Sequence, residues 1–206
     1  MAKLVKVCGL TRPDNIIDVA KSAPDFMGFI FYKLSARCVT DYSVFKYVPE
    51  GIPKVAVFVN EKIDIVADVC KTYGFNTVQL HGNESVDYCT ALKITYGLQI
   101  IKAFGISPDF NFDQLTTYAP VCDYFLFDTK AVSYGGSGKK FDWYMLDAYK
   151  LNKPYFISGG IDTSDALLIN MMDNNCIGAD INSRFETEPG IKNSVKVENF
   201  IKQIRG

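Results

Sequence analysis

The chain has 206 residues, enough for one domain with a sizeable hydrophobic core, and we expect residues 1–206 to form that domain. Its hydrophobic fraction of 48% argues against disorder, and 22 Lys and Arg residues against 23 Asp and Glu residues leave no basic cluster for binding nucleic acid. No apolar run reaches the roughly 18–20 residues that span a bilayer, so no membrane partner is expected. The first residues also lack the apolar core of a secretory signal.

Eight short β-rich runs recur along the chain, and many are apolar at nearly every position, as strands buried on both faces must be. In chain order they are Leu4–Cys8, Met27–Phe31, Lys54–Val59, Thr77–Leu80, Gln99–Ala103, Tyr124–Phe127, Tyr155–Ser158 and Ile177–Ile181. Amphipathic segments between them predict helices over Pro13–Ser22, Ile63–Tyr73, Ser85–Thr95, Tyr144–Tyr149, Ser164–Met172 and Ser194–Ile204, with Asp41–Val48 a shorter, aromatic-rich candidate. Strands alternating with helices in this number predict a compact α/β protein, a single-domain (β/α)8 TIM barrel. An open doubly wound sheet would need a GxGxxG turn after the first strand, which Cys8–Thr11 does not provide.

Cysteine usage indicates packing and a reducing compartment. The six cysteines, at positions 8, 38, 70, 89, 122 and 176, show no CxxC spacing, and the single histidine makes a zinc site improbable. Most lie in apolar stretches, where free cysteine behaves as a small hydrophobe, so we interpret five of them as packing residues. We therefore predict no metal site and a cytoplasmic location.

Three strand ends in the second half of the chain predict a phosphate site. They are Asp128 with the loop Gly135–Lys139, Ser158–Gly160, and Asp180–Ser183. Glycine lets the backbone approach an oxyanion closely, and free N–H groups at helix starts favour anions. In a barrel the loops after the seventh and eighth strands commonly bind phosphate, which favours this reading over that of tight turns. Asp128 ends its strand well before the next helix, so we interpret it as a pocket carboxylate and general acid rather than a helix cap.

Three more residues at strand ends are candidates for the same site. Cys8 ends the first strand on the same face as Lys6, whose ammonium would favour the thiolate, so we expect the pKa of Cys8 to be lowered. Arg37 is either a solvated surface residue or a fork that binds a substrate carboxylate through two hydrogen bonds. His81 could transfer protons, but with no second histidine we interpret it as a residue of the substrate-binding rim.

These residues together closely resemble the phosphoribosylanthranilate isomerase family. The resemblance covers essentially the whole chain through Lys6–Thr11, Gly28–Phe31, Ser35–Val39, Val57–Asn60, Val78–Gly82, Phe127–Thr129, Gly135–Lys139, Ser158–Gly160 and Asp180–Ser183 followed by Glu186, Pro189 and Gly190. Two departures are Arg184 in place of a small residue and Ala36 in place of a frequent proline.

The resemblance implies the rearrangement of N-(5-phosphoribosyl)anthranilate to the corresponding aminoketose in tryptophan biosynthesis, with no cofactor. It implies that Cys8 is the general base, Asp128 the general acid, and Arg37 the residue that binds the anthranilate carboxylate. The phosphate is expected on backbone amides around Gly136 and Gly138, on Gly159 and Gly160, and on Ser183. His81 and Asp180 complete the expected substrate-binding residues.

Three rival functions would use the same barrel. A Schiff-base lysine for aldol chemistry would require an inward-facing Lys6 or Lys102. A phosphometabolite-binding barrel without catalysis is also conceivable, since a fold alone does not fix function, but both Cys8 and Asp128 are present. Indole-glycerol-phosphate synthesis is a sibling reaction on the same fold, but the chain lacks the paired lysine and glutamate signature that would support it. The sequence does not indicate an oligomeric state.

Overall fold

The computed structural model describes residues 2–130 and 140–206 and contains a closed barrel of eight parallel strands. The strands are β1 (Leu4–Cys8), β2 (Phe26–Ile30), β3 (Lys54–Phe58), β4 (Thr77–Leu80), β5 (Gln99–Ile106), β6 (Tyr124–Thr129), β7 (Tyr155–Ile157) and β8 (Cys176–Ile181). Each strand pairs with the next along the chain, and β8 pairs with β1 to close the ring. The predicted (β/α)8 barrel is confirmed.

Helices on the outside of the barrel connect these strands. The α-helices are α1 (Pro13–Ala20), α2 (Ile63–Tyr73), α3 (Val86–Tyr96), α4 (Leu115–Tyr118), α5 (Ala166–Asn170) and α6 (Ser194–Arg205). Short 3₁₀ helices cover Tyr42–Tyr47, Phe112–Gln114, Trp143–Ala148, Thr163–Asp165 and Ser183–Phe185. None of the helices in the described parts of the chain is long and apolar enough to cross a membrane.

Two apolar layers hold the barrel together. The interior of the barrel is filled by side chains from alternate strand positions, and Cys8 lies at the carboxyl end of β1. The other interior side chains are Phe26, Val55, Val57, Ile101, Ala103, Leu126 and Phe156. The opposite faces of the strands, such as Val5 and Val7 on β1, pack beneath the helices in a second, larger cluster. The predicted alternation on β1 is therefore confirmed, with Lys6 and Cys8 facing inward and their neighbours facing outward.

The structure differs from the predicted elements in the short connections. The segments predicted as helices over Asp41–Val48 and Tyr144–Tyr149 are short 3₁₀ turns, each beginning after an Asp cap, Asp41 or Asp142. The predicted helix Ser164–Met172 is a 3₁₀ turn followed by the five-residue α5. A hairpin after β8, formed by β9 (Glu186–Glu188) and β10 (Ile191–Lys192), was not predicted.

Candidate active site

A cavity opens at the carboxyl ends of the strands. It collects eight of the predicted site residues: Cys8, Arg37, His81, Asp128, Gly159, Gly160, Asp180 and Ser183. Gln79, Asn182 and Arg184 also line it. The remaining two predicted residues, Gly136 and Gly138, lie outside the residues that the structure describes. The carboxyl ends of parallel strands meet at one rim, so strand-end residues far apart in the sequence share one site.

Cys8 lies beside a buried ion pair inside the barrel. Lys6 Nζ is 2.9 Å from Asp180 Oδ1, and both side chains are almost wholly buried. Gly28, opposite Cys8 in β2, leaves the space for them, because a Cβ there would lie 2.8 Å from Cys8 Sγ and 3.0 Å from Lys6 Nζ. The absence of a side chain at Gly28 thus lets the ammonium approach the thiol.

Burial decides the ionisation of Cys8. Burial raises the pKa of the Cys8 thiol more than the Lys6 ammonium lowers it, and the Asp180 carboxylate raises it further. The expectation of a lowered pKa was therefore wrong in its net direction. Burial alone would lower the pKa of Lys6, but the charges of Asp180 and Cys8 outweigh it and the pKa is raised. Burial raises the pKa of Asp180 despite its contact with Lys6.

Asp128 contacts an imidazole across the cavity. His81 Nε2 lies 3.2 Å from Asp128 Oδ2, while Gln79 Nε2 lies 2.8 Å from His81 Nδ1. In the tautomer in which Nδ1 accepts from the Gln79 amide, the ring proton is on Nε2 and is directed at the carboxylate. The other oxygen, Oδ1, accepts from the Thr129 N–H at 2.7 Å. His81 therefore holds the predicted acid in position.

The turn after β7 brings backbone close to this acid. Gly159 and Gly160 have φ of 88° and 64°, in the left-handed region that favours glycine. A Cβ on Gly159 would lie 2.7 Å from Asp128 Oδ1 and 2.8 Å from Thr129 N, so the turn packs directly against the end of β6. Ser183 lines the same cavity at the start of a short 3₁₀ turn after β8.

Arg37 is anchored by a carboxylate from the unpredicted hairpin. Its Nε and Nη2 atoms donate to Glu186 at 2.9 and 2.7 Å, and Lys192 Nζ donates to the same carboxylate at 2.6 Å. Arg37 is thus not a solvated surface residue: its side chain is only 14% exposed. Sequence reasoning assigned no role to Glu186 or Lys192, because their contacts depend on how the hairpin folds over the rim. Gln79 could have been found, since it shares a strand face with His81 two residues on.

The two lysines considered for Schiff-base chemistry occupy different places. Lys6 is inside the barrel but is engaged by Asp180. Lys102 is outside the barrel core and bonds to the carbonyls of Leu80, Gly82 and Ala103, with Glu84 at 3.2 Å. Neither arrangement favours a free nucleophilic amine. Within residues 2–130 and 140–206, no group of three or more His, Cys, Asp or Glu side chains is arranged to hold a metal ion.

The fold and the site define a class: a (β/α)8-barrel protein with a thiol, a carboxylate–imidazole pair and a guanidinium around one cavity at the carboxyl ends of its strands. The family model described as N-(5'phosphoribosyl)anthranilate (PRA) isomerase matches residues 5–203. The chain belongs to the N-(5'-phosphoribosyl)anthranilate isomerase family.

Individual relatives resemble the chain over its full length. N-(5'-phosphoribosyl)anthranilate isomerase of Parabacteroides distasonis is 43% identical, covering 98% of this chain and 93% of the relative. The protein of the same name from Phocaeicola vulgatus is 39% identical with 98% of both chains covered. Phosphoribosyl anthranilate isomerase from Thermotoga maritima superposes with a TM-score of 0.85 at 31% identity, over 99% of both chains. A phosphoribosyl anthranilate isomerase in complex with reduced 1-(o-carboxyphenylamino)-1-deoxyribulose 5-phosphate superposes with a TM-score of 0.83 at 28% identity, again over 99% of both chains.

Proposed function

We propose that this chain converts N-(5'-phosphoribosyl)anthranilate to 1-(2-carboxyphenylamino)-1-deoxyribulose 5-phosphate, the isomerisation step of tryptophan biosynthesis. The observation that carries the proposal is that Cys8 and Asp128 line one cavity from β1 and β6, between Arg37 and the glycine turn after β7. Family membership and a related protein bound to the reduced product support the assignment. We further propose that the whole chain, residues 1–206, acts as one catalytic domain in the cytoplasm; its six free thiols support a reducing compartment.

Asp128 acts first, as the general acid. Its carboxyl proton passes to the ring oxygen of the ribose while the bond between that oxygen and C1 breaks, and the nitrogen lone pair forms a C1–N double bond. The product of this step is an open-chain Schiff base. The His81 Nε2–H, 3.2 Å from Oδ2, orients the carboxyl group and then stabilises the carboxylate that remains.

Cys8 acts second, as the general base. Its thiolate takes the proton from C2, the electron pair moves to the positively charged imine, and the resulting enolamine tautomerises to the ketone. Because burial raises the pKa of Cys8, the thiol predominates near neutral pH and must first lose its proton to solvent; the Lys6 ammonium beside it stabilises the thiolate that forms. Both steps are proton transfers and use neither a metal ion nor a redox cofactor.

The two ends of the substrate are bound by different parts of the rim. Arg37 binds the anthranilate carboxylate through charge-assisted hydrogen bonds, and backbone amides at Gly159, Gly160 and Ser183 bind the phosphate. The phosphate role of Gly136 and Gly138 stays a prediction from the sequence. Asp180 lines the same cavity beside Lys6, and its carboxylate is proposed to accept hydrogen bonds from ribose hydroxyls. Anchoring both ends orients C1 and C2 between the acid and the base.

The decisive experiment follows the loss of substrate fluorescence when the purified protein meets freshly made phosphoribosylanthranilate. We expect rapid turnover by the wild type and a loss of about 10²–10⁴-fold or more in kcat for Cys8→Ser and for Asp128→Asn. Both variants should still bind the reduced product analogue, since neither residue anchors its charged ends. Folded wild-type protein without turnover would contradict the proposed reaction, and full activity in either variant would contradict that residue's role.

A further inference from the structure

The hairpin that follows β8 completes one end of the cavity. Glu186 on β9 accepts hydrogen bonds from Arg37, which comes from the loop after β2, and Lys192 on β10 donates to the same carboxylate. The Glu186 carboxylate accepts hydrogen bonds from four donor groups: Arg37 Nε, which reaches both oxygens, Arg37 Nη2, Lys192 Nζ and the Gly190 N–H. Its side chain is 5% exposed, and that of Lys192 is wholly buried. A carboxylate bound on all sides fixes the groups that donate to it.

This arrangement uses one edge of the guanidinium and leaves the other. Arg37 has five N–H donors in a planar fork, and Glu186 takes the edge formed by Nε and Nη2. The edge formed by Nη1 and Nη2 is the one that remains for a second planar anion. A guanidinium held along one edge loses little conformational freedom when the opposite edge binds a carboxylate.

The charges at this end of the cavity also balance in a particular way. Arg37 and Glu186 alone would form a neutral pair with no net attraction for an anion. Burial lowers the pKa of Lys192, and the Glu186 carboxylate beside it opposes that shift by favouring the ammonium. With Lys192 charged, the three groups together carry a net charge of about +1. The two acceptors around Lys192 Nζ, Glu186 Oε1 at 2.6 Å and Asn182 Oδ1 at 2.7 Å, suit an ammonium.

The hairpin is itself fixed to the start of the chain. Asn15 on α1 forms two hydrogen bonds with the backbone of Lys192, donating to its carbonyl at 2.7 Å and accepting from its N–H at 2.8 Å. Thr11 Oγ1 donates to the Gly190 carbonyl at 3.0 Å. The Lys192 ammonium is therefore anchored from α1 and does not depend on a bound ligand for its place.

We infer that Glu186 and Lys192 are positioning residues for the carboxylate end of the substrate. Glu186 directs the free edge of Arg37 into the cavity. Lys192 offsets the charge of Glu186, so that this end of the cavity keeps a net positive charge. The inference rests on the proposed function, in which Arg37 binds the anthranilate carboxylate. It makes an unusual prediction about Glu186. If charge alone mattered, removing the Glu186 carboxylate would strengthen binding of the substrate carboxylate. If Glu186 positions Arg37, the same substitution weakens that binding.

The test measures binding of two ligands by calorimetry. One is reduced 1-(o-carboxyphenylamino)-1-deoxyribulose 5-phosphate, and the other is the same compound without the carboxyl group. The affinity of the first ligand divided by that of the second measures how much the ligand's carboxylate strengthens binding. We expect this ratio to be about ten- to a hundredfold in the wild type. The ratio is then measured in Glu186→Ala, Glu186→Gln, Lys192→Met and Arg37→Met, with Glu188→Ala, an exposed change on the same strand, as the matched control.

We expect Glu186→Ala and Lys192→Met to lower the ratio toward that of Arg37→Met, while affinity for the ligand without the carboxyl group stays within about twofold. Glu186→Gln should recover part of the ratio, because its amide oxygen still accepts from Arg37; it also carries the test if Glu186→Ala does not fold. The Glu188→Ala control should match the wild type.

Three results would overturn the inference: an unchanged ratio, a ratio that rises in Glu186→Ala, or equal weakening of both ligands, which would indicate a general structural role. If the wild type itself did not distinguish the two ligands, the carboxylate role of Arg37 in the proposed function would be wrong, and the inference with it. An unchanged ratio in the variants, with a large ratio in the wild type, would overturn the inference alone.

Discussion

Lys6 is a charged side chain at the centre of an otherwise apolar interior. It is fully buried, and its partner Asp180 is 5% exposed at 2.9 Å. Removing two charges from water is expensive, and a buried pair of this kind is commonly no more stable than apolar side chains of similar size. Its presence is therefore better explained by what it does for Cys8 than by what it adds to stability.

The first prediction separates these two contributions. Lys6→Met leaves the Asp180 carboxylate buried without a partner, so we expect a loss of about 3–5 kcal/mol in the free energy of unfolding. Lys6→Met combined with Asp180→Leu removes both charges and should recover most of that stability. Activity should stay at least about 100-fold below wild type in both variants, because both lack the Lys6 ammonium beside the thiol and the double variant also lacks the carboxylate proposed to bind ribose hydroxyls.

Urea unfolding and steady-state kinetics on the same preparations make this comparison. Lys21→Met is the control, because the exposed pair of Lys21 with Asp18 should contribute less than about 1 kcal/mol. A double variant with wild-type activity would show that Cys8 works without Lys6. A double variant as unstable as Lys6→Met would show that the ion pair contributes to stability after all.

At the scale of single elements, the pairing of β1 with β2 determines the space around the base. Cys8 lies opposite Gly28, and a Cβ at Gly28 would approach the Cys8 backbone Cα to 3.1 Å as well as its sulfur. The neighbouring Met27 faces the helices and belongs to the outer apolar cluster. Adjacent positions of one strand therefore serve the site and the core separately.

The second prediction concerns these two positions. Gly28→Ala should displace Cys8 or Lys6 by several tenths of an ångström and lower kcat/KM by about 100-fold, because misplacement of a proton-transfer group is costly in rate. Met27→Leu conserves volume on the other face and should lower stability by less than about 1.5 kcal/mol with unchanged activity. Equal kinetics in the two variants would contradict the role of Gly28.

The elements that the sequence predicted well are those with a strong local pattern. Continuous apolar runs such as Tyr124–Phe127 identify strands buried on both faces, so the barrel could be predicted from the sequence. Residues at strand ends, Cys8 and Asp128 among them, lie at one rim as expected. The hairpin was missed because its strands have only three and two residues, too few for a periodic signal. The link of Glu186 to Arg37, 149 residues apart, follows from tertiary folding alone.

At the scale of the whole molecule, buried thiols make stability depend on alkaline pH. Burial raises the pKa of the Cys176 thiol from 9.0 to about 11 in the folded protein. The group is neutral when protonated, so the folded state retains its proton at a pH where the unfolded chain has lost it. The associated stability is present below pH 9 and is lost as the pH rises toward 11.

The third prediction measures this loss. Between pH 8 and pH 10, ionisation of Cys176 in the unfolded chain should remove about 1 kcal/mol of stability. Cys176→Ala lacks this contribution, so its deficit relative to the wild type should shrink by that amount over the same interval. Urea unfolding at the two pH values gives the comparison, and a deficit that stays constant or grows would contradict the assigned shift.

Closure of the barrel has a consequence for the order in which the protein matures. The ring is completed only when Leu4 pairs with Gly178, and Lys192 is anchored to Asn15 across 177 residues of chain. Contacts between such distant segments are slow to form, since the ends of a long loop must first meet. The first helix and the final hairpin are therefore expected to join late, both on the ribosome and during refolding. Recovery of catalysis would then time the final closure, whereas recovery of helical content would report the earlier steps.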